Sequence, residues 1–139
     1  MYLDACVNKK HESTFAAVTK CPVIWSVEVT NPITLDDDLF KFCAENHHVF
    51  VTEDKKQRRN DYLVSVAREA KIGIIEVRFK RTSFEDKDAV YAANLESLCE
   101  LARHPAPFLV LMTRQGFRFV PFGAYLWSDR RGIGQQAQA

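Results

Sequence analysis

Short runs of β-branched and aromatic residues alternate with helical patterns along most of this 139-residue chain. A strand–helix order that repeats four times is typical of a mainly parallel sheet with helices packed on it. The alternation therefore predicts an α/β fold, a three-layer α/β/α sandwich with a mainly parallel central sheet. The predicted strands are 1–4, 23–29, 48–52 and 73–79, and the predicted helices are 11–20, the segment from Asp36 onward, 61–70 and 84–103.

The last part of the chain departs from this alternation. Residues 107–112 and 117–122 predict two strands joined by a tight turn at Gln115-Gly116, which is a C-terminal hairpin. The residues after Trp127 have no apolar pattern, so we expect a disordered tail over 128–139. No internal repeat is evident, and the folded part is predicted to be one domain over 1–127.

The composition excludes several classes of protein. Hydrophobic residues make up 47% of the chain and charged residues 27%, which is typical of a globular domain. The formal net charge of +1 gives no overall signature of nucleic-acid binding, although acids cluster at 36–38 and bases at 55–59. We find no leader sequence and no apolar run of about 18 residues. We therefore expect a cytoplasmic protein without membrane contact.

The four cysteines are widely spaced, with no C-x-x-C pair and no histidine at zinc-binding spacing. Cys43 and Cys99 fall on the apolar faces of predicted helices, which favours buried free thiols in a reducing compartment. Cys6 lies near Asp4, but no base at a matched position indicates a nucleophile. The signatures of P-loop NTPases, dinucleotide-dependent dehydrogenases and serine hydrolases are missing from the sequence, which counts against these classes.

Acidic residues stand where predicted strands end and predicted helices begin. Asp4 ends the first strand and Asp54 follows the third, while the loop after the second strand delivers Asp36 or Asp37 at a helix start. Open α/β folds bind ligands at the carboxyl ends of their strands. Carboxylates within about 4–6 Å of each other repel unless a cation is present. A divalent, oxygen-preferring ion such as Mg²⁺ resolves that conflict, so we expect a metal site here.

Each acid also has a simpler structural interpretation. Asp36 to Asp38 suit the capped, acidic start of a helix. Asp54 alone suits a turn after a strand, and Asp4 alone suits an exposed terminal residue. Their expected convergence on one edge of the sheet favours the metal site.

A basic run directly follows Asp54. A solvated charged face is the common interpretation of such a run, and a phosphate-binding clamp beside a metal is the functional one. Thr52 is either an ordinary strand residue or a hydroxyl that orients a carboxylate or a metal-bound water. Asn8 is expected to cap the first helix. The candidate substrate-binding residues are Thr52, Lys55, Lys56, Arg58 and Arg59.

Three segments resemble the PIN domain, and most closely the PIN-like group that includes VapC-type toxins. They are residues 2–7 (YLDACV), residues 35–61, in which an acid opens a helix and a T-x-D turn leads into basic residues, and residues 107–120. The resemblance covers roughly residues 1–120. It implies a Mg²⁺- or Mn²⁺-dependent endoribonuclease that acts on RNA, and it suggests an antitoxin partner and a homodimer.

Carried over to this sequence, the resemblance implies catalytic roles for Asp4, Asp36, Asp37 and Asp54, with Asp4, Asp36 and Asp54 as metal ligands. Asp36 is favoured over Asp37 because Leu39, Phe40 and Cys43 then lie at helical spacing from it. The fourth acid of the family has no clear counterpart. Asp61 is one candidate, whereas Glu53 is expected to point the other way because side chains alternate along a strand.

Two other functions remain open at this point. The first is a catalytically silent PIN-like module that binds RNA or a protein partner, which the unmatched fourth acid and the near-neutral charge favour. The second is a phosphatase or receiver-like domain of similar layout, which requires a phosphorylatable aspartate and a lysine such as Lys71 or Lys80.

Overall fold

The structure is a computed structural model that describes residues 1–4, 6–17, 21–28, 36–53 and 61–120. For residues 27, 36, 37, 61–64 and 66 the description covers the backbone alone. Predictions that concern Asp54, the basic run at 55–59 and the tail at 128–139 lie outside the described residues.

The described residues alternate between strands and helices as the sequence predicts. Six strands and four α-helices are present in them, together with two 3₁₀ turns at Lys9–His11 and Ser26–Glu28. In chain order the elements are β1 (Tyr2–Leu3), α1 (Glu12–Phe15), β2 (Ile24–Trp25), α2 (Asp36–Glu45), β3 (Phe50–Thr52), α3 (Asp61–Ala70), β4 (Gly73–Val77), α4 (Phe84–Ala102), β5 (Phe108–Thr113) and β6 (Gly116–Phe119).

One six-stranded sheet organises these elements, in the order β2-β1-β3-β4-β5-β6. Neighbouring strands from β2 to β5 are parallel, and β6 is antiparallel to β5. Gly116 opens β6 with a φ of 127°, a backbone conformation that glycine adopts readily. The prediction of an α/β fold with a mainly parallel sheet and a C-terminal hairpin is confirmed.

Several predicted elements are shorter than expected, and two differ most. The predicted helix 11–20 begins as a 3₁₀ turn and continues as the four-residue α1, and residues 18–20 lie outside the description. Of the predicted strand 23–29, whose last residue is also outside the description, only Ile24 and Trp25 form a strand. Its neighbour β1 offers only Tyr2 and Leu3 for pairing, and the chain enters the 3₁₀ turn Ser26–Glu28 directly after Trp25.

Strand side chains alternate between two hydrophobic clusters. One cluster packs with α1 and α4, and the other packs with α2 and α3. Both faces of the sheet are covered, which is why the strands are almost continuously apolar. The first cluster contains Leu3, Val51, Ile75, Val77 and Val110, and the second contains Tyr2, Phe50, Ile74, Leu109 and Leu111.

The longest helix, α4, has a well-defined start. The Ser83 hydroxyl accepts a hydrogen bond from the Asp86 N–H at 3.1 Å, and Glu85 and Asp86 place negative charge in the first turn. Within the described part of the chain, neither α4 nor any other helix is both long enough and apolar enough to cross a bilayer.

Two smaller predictions can be compared with the structure. All four cysteines are free thiols and Cys43 is fully buried as predicted, but Cys99 is only half-buried. Asn8 caps the 3₁₀ turn that precedes α1, because its side-chain oxygen accepts a hydrogen bond from the Lys10 N–H at 2.9 Å.

Candidate functional site at the carboxyl edge of the sheet

The order of the strands reverses direction between β1 and β3. The chain crosses from β1 to β2 on one side, and then returns past β1 to form β3 on the other side. Such a reversal leaves a crevice beyond the carboxyl ends of the two strands, where open α/β folds place their ligands. Asp4 follows β1 directly, and Thr52 ends β3. The first and third strands are therefore neighbours in the sheet, and Asp4 and Thr52 lie at the same edge.

Asp4, Cys6, Thr52 and Glu53 meet at this point, and we call them the switch-point cluster. The Thr52 hydroxyl donates to Asp4 Oδ2 at 2.8 Å, and the Cys6 thiol lies 3.4 Å from the same oxygen. The Glu53 N–H donates to Cys6 Sγ at 3.2 Å. Thr52 is only 1% exposed, so its hydroxyl is held in place and fixes one oxygen of the half-buried Asp4 carboxylate.

The Cys6 thiol is a hydrogen-bonding group at this site and is not an activated nucleophile. Although Cys6 is exposed as a residue, partial desolvation of its sulfur, together with the negative charge of Asp4, raises the pKa of Cys6 to about 11. Because the thiolate is the nucleophile and the metal ligand, the group is protonated and unreactive at neutral pH. This agrees with the prediction from the sequence, in which no base stands at a matched position.

Glu53 is held by α4 on the other side of the cluster. The Lys87 ammonium lies 3.0 Å from Glu53 Oε1, and the Tyr91 hydroxyl donates to Oε2 at 2.8 Å. Tyr91 is fully buried, and burial followed by the Glu53 charge raises the pKa of Tyr91 well above its ordinary value. Thr52 and Glu53 therefore face different partners, as the alternation of strand side chains predicts.

The sequence analysis missed a buried carboxylate next to this cluster. Glu76 pairs in register with Thr52, is 2% exposed, and forms an ion pair with the Arg78 Nε at 2.9 Å. Glu76 lies two residues after Ile74, and Thr52 lies two residues after Phe50. Glu76 and Thr52 therefore share the sheet face that packs with α2 and α3. An acid inside the apolar run Ile74-Ile75-Glu76-Val77 was the signal, because buried carboxylates are rare unless paired.

His11 is a second residue that the sequence analysis missed. Its ring is fully buried, its Nδ1 lies 2.8 Å from Asp88 Oδ1, and it stacks on Phe84 with ring centroids 4.3 Å apart. Asp88 also accepts a hydrogen bond from Thr14 at 2.7 Å. The His11 bond, followed by the Thr14 bond, lowers the pKa of Asp88. These contacts fasten the segment after β1 to the start of α4.

The other predicted site residues are placed only in part. Asp36 and Asp37 are the first two residues of α2, and Asp61 is the first residue of α3, but their side chains are outside the description. Asp54, Lys55, Lys56, Arg58 and Arg59 all lie in the undescribed segment that begins directly after Glu53. The structure therefore brings together Asp4 and Thr52 from the predicted set.

Carboxylate and hydroxyl oxygens dominate the cluster, and hard cations such as Mg²⁺ and Mn²⁺ prefer such ligands. Among the described residues, no group of three or more His, Cys, Asp or Glu side chains is arranged to hold a metal ion. Asp4 is the one proposed ligand whose side chain is described, and it fits as a member of an oxygen-ligand set. None of the protein-family models, curated proteins or solved structures compared with the chain matches it.

Proposed function

We propose that this chain is a metal-dependent endoribonuclease of the PIN-like type, with a three-layer α/β/α architecture and its site at the switch point. The observation that carries the proposal is the Asp4 carboxylate, which lies at the reversal between β1 and β3 and is oriented by Thr52 at 2.8 Å. Asp54 stands two residues after Thr52 in the sequence, and in this proposal its carboxylate would join that of Asp4.

The residue types suit a hard divalent ion. Asp4, Asp36 and Asp54 would supply carboxylate oxygens to Mg²⁺ or Mn²⁺, and Asp37 is the alternative to Asp36. When bound, such an ion would activate a water molecule and stabilise the leaving oxygen of a phosphodiester. Cys6 is a poor ligand for such a hard ion, because thiolates favour softer metals.

The described residues contribute orientation. The Thr52 hydroxyl holds one oxygen of Asp4, and Lys87 and Tyr91 hold Glu53, the residue directly before Asp54. If Asp54 is a ligand, holding Glu53 would help to preorganise the site, and such positioning is a large part of catalysis. The basic residues at 55–59 would bind RNA phosphates next to this point.

The test is cleavage of a fluorescent single-stranded RNA by the purified chain with Mg²⁺ or Mn²⁺. We expect cleavage that stops with EDTA and falls by about 100-fold or more in Asp4→Asn, because a lost ligand charge weakens both metal binding and transition-state stabilisation. Glu96→Gln is the matched control, since Glu96 is an exposed carboxylate on α4. Wild-type cleavage by a folded Asp4→Asn variant would refute the proposal.

The competing function is a catalytically silent PIN-like module that binds RNA or a protein partner such as an antitoxin. One observation favours it: Glu53 and Asp4 already receive hydrogen bonds from protein donors at 2.8 Å. RNA binding that is independent of Mn²⁺, with no cleavage and no Mn²⁺ bound in a calorimetric titration, would select this function. The same sample would show by light scattering whether the chain forms a homodimer.

The receiver-like or phosphatase alternative has some topological support. The order β2-β1-β3-β4-β5 also occurs in flavodoxin-like folds. Lys71, however, precedes β4 and so lies at the amino edge of the sheet, away from Asp4. Lys80 follows β4 and therefore lies at the same edge as Asp4. Incubation with acetyl phosphate and Mg²⁺ tests this alternative, because a receiver-like protein would gain one phosphoryl group, which mass spectrometry detects as a mass increase.

A further inference from the structure

The opposite edge of the sheet contains a cleft that the proposed nuclease does not use. The cleft has a volume of about 310 Å³ and lies at the amino ends of β3 and β4 and beyond the end of α4. Its cationic and imidazole side chains come from three helix ends, and we call it the basic cleft. They are His47, His48, Lys71, Arg103 and His104.

The basic cleft combines positive charge with an apolar interior. Its lining residues, all within the described part of the chain, include no aspartate or glutamate. Cys43, Val49 and Ile72 line it as well and are buried. A small-molecule site typically joins such an apolar surface to a few polar groups that fix the orientation of the ligand, in a volume from about 300 Å³ upward.

Within the described residues, the two permanent cations of the cleft have no ion-pair partner. Some lysine and arginine side chains elsewhere in the described residues are paired, such as Lys87 with Glu53, while others, such as Lys80, are not. What distinguishes Lys71 and Arg103 is that they line the same cleft, whose described lining contains no acid. Neither Lys71 nor Arg103 takes part in any ion pair found among the described residues. An external anion would supply the missing charge.

The helix ends at the cleft are capped by their own backbone. His47 has a φ of 56° and Lys71 a φ of 59°, which is the left-handed conformation of a helix C-cap. The last-turn carbonyls of Cys43, Ala67 and Leu101 accept the N–H groups of His48, Ile72 and His104. The cationic side chains are therefore not needed as caps, although the helix dipole favours them at these ends.

The histidines of the cleft do not form a recognisable metal site. Among the described residues, no group of three or more His, Cys, Asp or Glu side chains is arranged to hold a metal ion.

We propose that the basic cleft binds a small phosphate monoester with an aromatic portion, of the nucleoside monophosphate class. Lys71 and Arg103 would bind the phosphate, and the apolar interior with the half-buried His48 ring would contact the base. This site is separate from the switch-point cluster and does not depend on nuclease activity.

The test is a titration of the ¹⁵N-labelled chain with adenosine monophosphate in EDTA, so that no divalent ion can recruit the nucleotide to the acids. We expect saturable shifts at the Ala44, Gly73 and Ala102 amides, which line the cleft. Inorganic phosphate should shift the same amides with weaker affinity, and uncharged adenosine should bind at least about tenfold more weakly. Equal binding of adenosine would contradict anion recognition.

Variants separate the cleft from other phosphate-binding surfaces. Arg103→Met should raise the Kd for adenosine monophosphate by about tenfold or more, because a charge-assisted hydrogen bond is lost. Lys71→Gly should have the same effect and still fold, since glycine accepts the φ of 59°. Lys71→Arg should retain binding.

Lys80→Met is the charge-matched control, because Lys80 is exposed and follows β4 at the other edge of the sheet. It should leave the affinity unchanged. No shifts at millimolar nucleotide, or unchanged affinity in both Lys71→Gly and Arg103→Met, would overturn the proposal.

Discussion

At the carboxyl edge of the sheet, the Asp4 and Glu53 carboxylates each lie within 3.0 Å of a donor from a distant part of the chain. At the amino edge, Lys71 and Arg103 have no ion-pair partner among the described residues. The paired groups contribute to folding, because removing one partner leaves a poorly solvated charge. The unpaired cations are already solvated, so their removal costs the fold little. The carboxyl edge therefore presents acids that protein donors orient, whereas the amino edge presents cations that are exposed to solvent.

The largest expected effect concerns the reactivity of Cys6. A pKa of about 11, compared with an ordinary value of 9.0, reduces the thiolate fraction at neutral pH by about 100-fold. Alkylation by iodoacetamide, followed by mass spectrometry, should be slow at pH 7.5 and accelerate until the pH approaches 11. The urea-unfolded chain is the reference. A rate that levels off below pH 9 would show that Asp4 and burial do not restrain this thiol.

The next effect concerns the hydrogen bond between Tyr91 and Glu53. Tyr91→Phe should lower the free energy of unfolding by about 1–3 kcal/mol, because a nearly buried carboxylate loses a donor. Tyr2→Phe is the matched control, since the Tyr2 hydroxyl donates to the neutral Ser26 at 3.2 Å and should cost about 1 kcal/mol or less. Equal losses in urea denaturation would remove the distinction between the two hydroxyls.

Thr52 provides a smaller test at the same edge. Thr52→Val keeps the shape of the side chain but removes the donor to Asp4, so we expect a loss of about 1–2 kcal/mol in stability. Thr52→Ser keeps the hydroxyl and should retain the orientation of Asp4. If the proposed nuclease is correct, the valine variant also loses RNA cleavage while the serine variant retains most of it. A valine variant as stable as the parent would mean that this bond is energetically neutral.

The smallest expected effect is at the amino edge and has the opposite sign. Lys71→Gly should raise the free energy of unfolding by about 0.5 kcal/mol. Relief of the strained left-handed φ stabilises the fold, and this gain outweighs the entropy that glycine adds to the unfolded chain. Lys87→Met should instead destabilise by about 1 kcal/mol through loss of the Glu53 partner. Thermal denaturation of both variants compares the two edges directly. A clear loss in Lys71→Gly would give that lysine a structural role.

Much of the fold was readable from the sequence, because four apolar runs alternate with amphipathic helices. The ends of α3, β4 and α4 follow periodic patterns that local propensity supports. The shortening of β2 was not readable, since it depends on the two-residue length of its neighbour β1. The length of β2 follows from its pairing partner and not from the β propensity of its own residues.

The candidate site could likewise be predicted only in part. Asp4 at a strand end and Thr52 before Asp54 are local patterns, and the structure places Asp4 and Thr52 side by side. The contact of Glu53 with Lys87 and Tyr91 spans 34 and 38 residues, so no local pattern could reveal it. Convergence of the helix ends at the basic cleft does follow from parallel topology, because each helix runs back to the amino edge before the next strand.

The brevity of β1 has a consequence for how the molecule opens. Strand β1 pairs over two residues with each neighbour, whereas β4 pairs over three residues with β3 and five with β5. Local unfolding requires fewer hydrogen bonds to break around β1 than around β4. Amide protons of Tyr2 and Asp4 should therefore exchange with deuterium through local openings, whereas those of central β4 should exchange only when the whole domain unfolds. The proposed active site thus lies beside a weakly paired strand, and local opening there would not require the central strands to unfold.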